Sequence, residues 1–255
     1  MSYLAAALVV LFAAAAAGAA SFVISRMIGV EHRGQRQQFG GQVFQQVGIM
    51  FSVLLSFVFS EVWGEYNVAA QAISSECGGL HGAAMLASAL PNDIGRPVDE
   101  AILDYGRVVT TVEWPLMSRR QRSPKAAAAL RLALDRAARL APTQAADLAT
   151  RNQVVSLLVD AHRYRETRTF QITAALPMMI WIVLIAMALV LDGFLLLAGS
   201  EVRSHMSLAS AAAGSTTAAL VMVRMLDYPF EGGLALTNTA SLKMTGEIAA
   251  ILAGQ

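Results

Sequence analysis

Charge is what this 255-residue chain has least of. Only 15% of its residues are charged, against about 25% in an ordinary soluble domain. The shortage is uneven: 23 of the 37 charged residues fall between positions 66 and 171. Cysteine occurs once, at Cys77, which excludes an internal disulfide scaffold. Net charge is only +1, which gives no reason to expect nucleic acid as a partner. Proline is absent from Gln42 to Leu90, so nothing in that stretch interrupts a helix. What the chain has in excess is apolar sequence, 56% of all residues. A charged block between two apolar blocks points to a membrane protein with an aqueous domain inserted between its spans. That pattern argues against a soluble enzyme or a disordered chain.

The apolar runs give the spans. Leu4 to Ser25 is 22 residues without a charge, ten of them Ala, long enough to cross a hydrocarbon core of about 30 Å. A cleaved signal peptide would carry a basic n-region, and Met1-Ser2-Tyr3 has no basic side chain. Ile172 to Leu191 is a second charge-free run, continuing past Asp192 to Ser200, with Pro177 near its start. Met206 to Val223 is a third, and the short turn Glu201 to His205 predicts an antiparallel hairpin between these two. Val47 to Ser60 is shorter, only 14 residues. Counted as a span shielded by other protein, it makes the total four, with the aqueous domain between the second and third. The expected divisions are residues 1–65 (spans one and two), 66–171 (helical domain), 172–232 (spans three and four) and 233–255 (tail). Basic residues flank two ends, with Arg26, Arg33 and Arg36 after the first span and Arg163, Arg165 and Arg168 before the third, so the positive-inside rule is split. The unpaired cysteine and the charged domain place that domain and both termini in the cytoplasm.

Within the domain, helices are expected throughout and no sheet, because no period-two run bounded by turn residues occurs. Pro91-Asn92-Asp93 stops the second helix. Val98, Ile102, Tyr105, Val109 and Val112 recur at helical spacing. Ser123-Pro124 reads as an N-cap with proline at the first helical position, before the Ala- and Leu-rich stretch from Ala126 to Leu140. Pro142-Thr143 begins a helix expected to run through Arg168 into the third span. The fold class is thus all-α: four transmembrane helices with a cytoplasmic helical bundle between the second and third.

Catalytic chemistry has no visible basis. Cys77 and His81 are four apart on a helix but have no further ligand nearby, and Glu61 and Glu65 lack the Glu-x-x-His partner of a di-metal site. No nucleophile elbow, phosphate loop or dinucleotide fingerprint occurs. We therefore expect no enzyme activity, catalytic residue, cofactor or metal. The informative feature is the second helix viewed end-on. Taking Ser56 as zero and about 100° per residue, Gln42, Gln45, Ile49, Ser52, Ser60, Trp63, Asn67, Ser74, Gly78 and His81 fall within about 40°. Glu61, Glu65 and Glu76 lie opposite. This stripe is either a small-residue packing seam or the wall of a water-filled pore made by copies of the helix around an axis. The shortness of the apolar run favours the pore. Asp192 and Arg224 are charges within or beside spans, and such groups are normally paired or functional. Arg224 is close in depth to Glu61 and Glu65, which makes these the candidate partners, and Asp192 either meets Arg26 or faces water.

Three motifs carry a family resemblance over nearly the whole chain: Trp63-Gly64-Glu65-Tyr66, Glu113-Trp114-Pro115, and the run from Leu226 through Asp227, Tyr228, Pro229, Phe230 and Glu231 to Gly232. In this order they resemble the bestrophin-like bacterial membrane proteins of unknown function, and more distantly the bestrophins. The resemblance implies a homo-oligomeric ion channel of the bacterial inner membrane, with the second span lining the pore. Its partners would be membrane lipid, permeant inorganic ions and further copies of the chain, as a homotetramer or homopentamer. Taken with the stripe read above, this gives the expected pore-lining positions Gln45, Ile49, Ser52, Val53, Ser56, Ser60 and Asn67, of which Val53 comes from the resemblance alone. The narrow neck would fall at Gln45, Ile49 and Val53, where Gln45 departs from the apolar pattern. The acidic run that follows Pro-Phe in calcium-gated bestrophins is absent, and no basic residue lies on the stripe. Neither calcium gating nor anion selectivity is therefore implied. The competing class is a non-conducting structural or signalling membrane protein.

Overall fold

The computed structural model describes residues 1–27, 34–141, 144–197 and 202–254, and the side chains of 27, 34–40, 146, 197 and 202–205 are not described. Among the described residues every regular element is helical. In order these are α1 (Tyr3–Met27), α2 (Gly34–Ala87), α3 (Asn92–Val108), a π-helical turn (Val109–Glu113) and α4 (Trp114–Met117). α5 (Pro124–Arg139), α6 (Ala145–Phe170), α7 (Met178–Leu197), α8 (Val202–Leu226) and α9 (Thr239–Gly254) follow. The proline-free stretch does form one helix, of 54 residues. Among the described residues four helices are long and apolar enough to cross a membrane: α1, α2, α7 and α8.

The chain forms two compact units. The first holds Met1–Gly64 and Ala175–Asp227. Much of its outward surface is apolar, with Leu4, Phe12, Met178 and Leu189 each more than 60% exposed, the inverse of a soluble protein and what lipid solvation requires. Its closest packing uses small residues. A Cβ on Gly18 of α1 would sit 2.5 Å from Ser210 Oγ of α8, and one on Gly214 of α8 would sit 3.4 Å from Ala14 Cβ. Without a hydrophobic drive between helices in lipid, such close approach is what gives dispersion its purchase. α7 packs against both α1 and α8, and Phe194 stacks on Phe44 of α2 at 5.5 Å.

The third span differs from expectation. α6 ends at Phe170 and α7 begins at Met178, so no continuous helix joins them. Pro177 supplies the reason: it has no N–H and pushes Leu176 out of the helical region. The Leu176 N–H instead donates to the Asp227 carboxylate at 2.8 Å. Ile172, expected inside the span, is a buried residue of the other unit. Pro142 and Thr143, and Glu201 of the expected turn, lie outside the described residues, and α8 is already helical at Val202.

The second unit holds Glu65–Ala174 and Tyr228–Gln255. Its core is built on seams with a four–three spacing. α2 contributes Ala69, Ile73, Leu80, Ala83 and Ala87; α3 contributes Val98, Ile102 and Tyr105; α6 contributes Val154, Leu158 and Ala161. α5 starts as expected: Ser123 Oγ accepts the Ala126 N–H at 3.2 Å and Pro124 occupies the first turn. Gly95 lets α3 pass against the Ala87 carbonyl, where a Cβ has no room. Residues 233–255 carry α9, whose Met244 and Ile248 are buried in this core and which packs on α3.

Candidate functional site

The face of α2 built around Ser56 is uncovered within a single chain. Gln45, Ile49, Ser52, Val53, Ser56, Ser60 and Asn67 are all exposed. Residues on the other side of the helix are buried in their own unit: Phe51, Val58 and Val62 at 7%, 5% and 0% exposure. Ser52, Val53, Ser56, Phe57 and Ser60 line one shallow concavity of about 420 Å³. The hydroxyls turn inward on the helix: Ser52 Oγ donates to the Gly48 carbonyl and Ser56 Oγ to the Ser52 carbonyl, both at 2.8 Å. Such back-bonding satisfies the donor and leaves an oxygen lone pair facing outward. At the far end of the stripe His81 is only half-buried, with Nδ1 3.5 Å from Glu247 of α9. Of the charged candidates, Glu61 is exposed, while Glu65, Asp192 and Arg224 are half-buried. Arg26 lies over the Phe22 ring, 4.7 Å from its centroid.

The strongest electrostatic feature lies in the second unit, and the sequence reading missed it. Arg168 donates to both oxygens of Glu76, at 2.7 and 3.1 Å, and to Glu113 at 2.7 Å. Arg165 pairs with the other oxygen of Glu113 at 2.5 Å and reaches the Ser123 carbonyl at 3.3 Å. Tyr105 donates its hydroxyl to Glu76 at 2.5 Å. All four charged side chains are at most 4% exposed. Two arginines and two glutamates leave the cluster neutral, which is how a low-dielectric site retains charge. Burial works against the charged Arg168, but the attraction of Glu76 and its hydrogen bonds outweigh it and push that pKa well above the usual arginine range. Burial and the neighbouring Glu76 carboxylate push the Tyr105 phenol well up as well. Arg165 and Arg168 were counted among basic flanks of the third span; both are consumed here, while Arg163 pairs with Asp160 at 3.5 Å on the surface.

A signal for this cluster was present in the sequence. The α6 seam Val154, Leu158, Ala161 continues at helical spacing to Arg165 and Arg168. The α3 seam continues through Val109 to Glu113, and the α2 seam passes through Glu76. Charged residues at core positions of three helices need partners of opposite sign. Glu113 stands at the end of the π-helical turn. Pro115, two residues on, can donate no backbone hydrogen bond, and its ring disfavours regular winding through the preceding turn. Thr110 and Thr111 hydroxyls bond the Arg107 carbonyl at 3.0 and 2.7 Å.

Residues from each of the three motifs also lie in the second unit. Tyr66 donates its hydroxyl to the Leu234 carbonyl at 3.0 Å. Trp114 meets Phe230 edge-on at 6.1 Å and lies 5.7 Å under the Arg168 guanidinium. Tyr228 lies under Arg120, which also pairs with Glu231 at 2.9 Å.

The fold is similar to that of a crystal structure described as a membrane protein, with a TM-score of 0.76 and 13% identity over 96% of this chain and 99% of that one. It is also similar to a bacterial bestrophin homologue from Klebsiella pneumoniae. One structure of that protein gives a TM-score of 0.73 and 12% identity over 95% of this chain and 98% of that one. A point variant gives 0.73 and 14% over 94% and 98%. No curated protein matches the chain. The family model of the Bestrophin-like domain matches residues 11–241, and the chain belongs to that family.

Proposed function

We propose that the chain forms a homo-oligomeric ion channel of the bacterial inner membrane, with the α2 face from Gln45 to Asn67 lining the pore. The observation that carries this reading is the sidedness of α2. Phe51, Val58 and Val62 are buried by the chain itself, while Gln45, Ser52, Ser56, Ser60 and Asn67 are left open. In lipid an open face carrying Gln45, Ser52, Ser56 and Ser60 is costly, so copies of the helix or water must cover it. A ring of four or five copies does both. Flow is passive, with no catalytic step, and the domain and both termini are cytoplasmic. Permeant inorganic ions are the proposed transported species, met along this face by the neutral dipoles of Gln45, Ser52, Ser56 and Ser60.

One observation favours a second reading. The back-bonded hydroxyls of Ser52 and Ser56 lower the cost of a dry environment, so the same face is suited to a packing seam in a non-conducting structural or signalling protein. Purified full-length protein in a planar bilayer separates the two. The channel reading predicts discrete conductance steps from a detergent-stable complex of four or five chains. A silent bilayer with a monomeric or dimeric mass contradicts it.

A further inference from the structure

The loop joining α4 to α5 breaks two local rules at once. Positions 119–125 hold Arg119, Arg120, Arg122 and Lys125 and no acidic residue. Arg120 has φ 60°, the left-handed conformation that normally belongs to glycine or asparagine after a helix end. Lys125 sits in the first turn of α5, which carries no acidic residue, so a positive charge stands at the positive end of a helix dipole. Residues that oppose their own backbone context are expected where a function outweighs the local cost.

Position supplies that function. Gln121 N–H bonds back to the Leu116 carbonyl at 2.9 Å and Arg120 N–H to the Met117 carbonyl at 2.9 Å, which fixes the turn. The Arg120 guanidinium lies 3.8 Å from the centroid of the Tyr228 ring and 2.9 Å from Glu231. Tyr228 follows the last residue of α8, Leu226, by two positions, so its Cα is at most about 8 Å from the end of that span. Gln171 and Ile172, in the segment leading to α7, line the same small cavity as Arg120 and Tyr228. The loop is thereby clamped to the chain where it leaves one span and approaches another. Glu231 answers Arg120, and Glu166 lies 3.8 Å from Arg122. Arg119 and Lys125 are exposed and carry the excess charge.

We infer that Arg119, Arg122 and Lys125 form a docking surface for the headgroups of anionic phospholipids at the membrane boundary, with Arg120 as the clamp that holds the loop there. Each basic side chain near an anionic surface favours it by roughly fivefold, an attraction that salt screens. The inference does not depend on conduction and stands whether or not α2 lines a pore.

The test uses full-length protein with a spin label at Gln121→Cys in a Cys77→Ala background, reconstituted in phosphatidylcholine vesicles with or without phosphatidylglycerol. The expected result is a label whose motion is restricted by phosphatidylglycerol and released by added salt. The restriction should vanish when Arg119, Arg122 and Lys125 are all changed to Gln. Equal mobility in both vesicles overturns the inference, as does a restriction that survives the triple change. If inorganic phosphate added to phosphatidylcholine vesicles reproduces the restriction, the loop is a free-anion site and the lipid assignment is wrong.

Discussion

Arg168 and Glu76 face each other through two hydrogen bonds, 2.7 and 3.1 Å long, with side chains 1% and 3% exposed. They stand 92 residues apart in sequence and join the second helix to the helix that leads to the third span. Breaking one side of a buried pair leaves an uncompensated charge and costs about 3–5 kcal/mol. Arg168→Met should therefore unfold or strongly destabilise the second unit, and Arg168→Met with Glu76→Gln should recover part of the loss. Thermal melts of the three proteins in one detergent check this.

Tyr105 gives the cluster an alkaline limit. Its phenol is held well above the ordinary value by burial and by Glu76, so the folded state keeps the proton after the unfolded state has released it near pH 10. Stability contributed by this group is complete below about pH 10 and falls as pH rises beyond it. Tyr105→Phe should cost about 1.5–3 kcal/mol at neutral pH, the range for a hydrogen bond to a charged group, and should flatten the alkaline fall. Melting temperature against pH for both proteins is the measurement.

The α1–α8 seam tolerates no bulk at Gly18, where an added Cβ meets Ser210 Oγ at 2.5 Å. Gly18→Leu should lower stability by about 1–3 kcal/mol through overpacking. Gly18→Ala should be milder, and milder still with Ser210→Ala, because the first atom encountered is then gone. A detergent melting series reads the order.

Cytoplasm-active reporters placed after Gln255 and within Ser123–Lys125 should report the same side of the membrane, since α7 and α8 separate them. Opposite sides would remove one crossing from the account.

How much of this was legible beforehand depended on whether the signal was local. The length of α2 followed from the absence of proline, and the start of α5 from Ser123 and Pro124, because both are decided by neighbouring residues. The break before α7 was written in Pro177 but was overridden by reading the charge-free run as one span. The buried cluster was invisible to pairwise spacing, since Arg168 finds Glu113 and Glu76 across 55 and 92 residues. Only the continuation of apolar seams onto charged positions could have shown it. The polar face of α2 could be drawn as one face because a helical wheel needs no tertiary knowledge. What covers that face is a matter of assembly, which one chain does not encode in its own contacts.

The most direct test of the pore is therefore at Ser56. In a Cys77→Ala background, cysteine at Ser52, Ser56 or Ser60 should react with a small water-soluble thiol reagent, because thiolates form where water reaches. Cysteine at Val58, buried on another side of α2, should not. With Ser56→Cys protein in a planar bilayer, the account predicts that adding the reagent lowers the single-channel conductance. Protection of all three positions, or modification at Ser56→Cys with unchanged current, would contradict it.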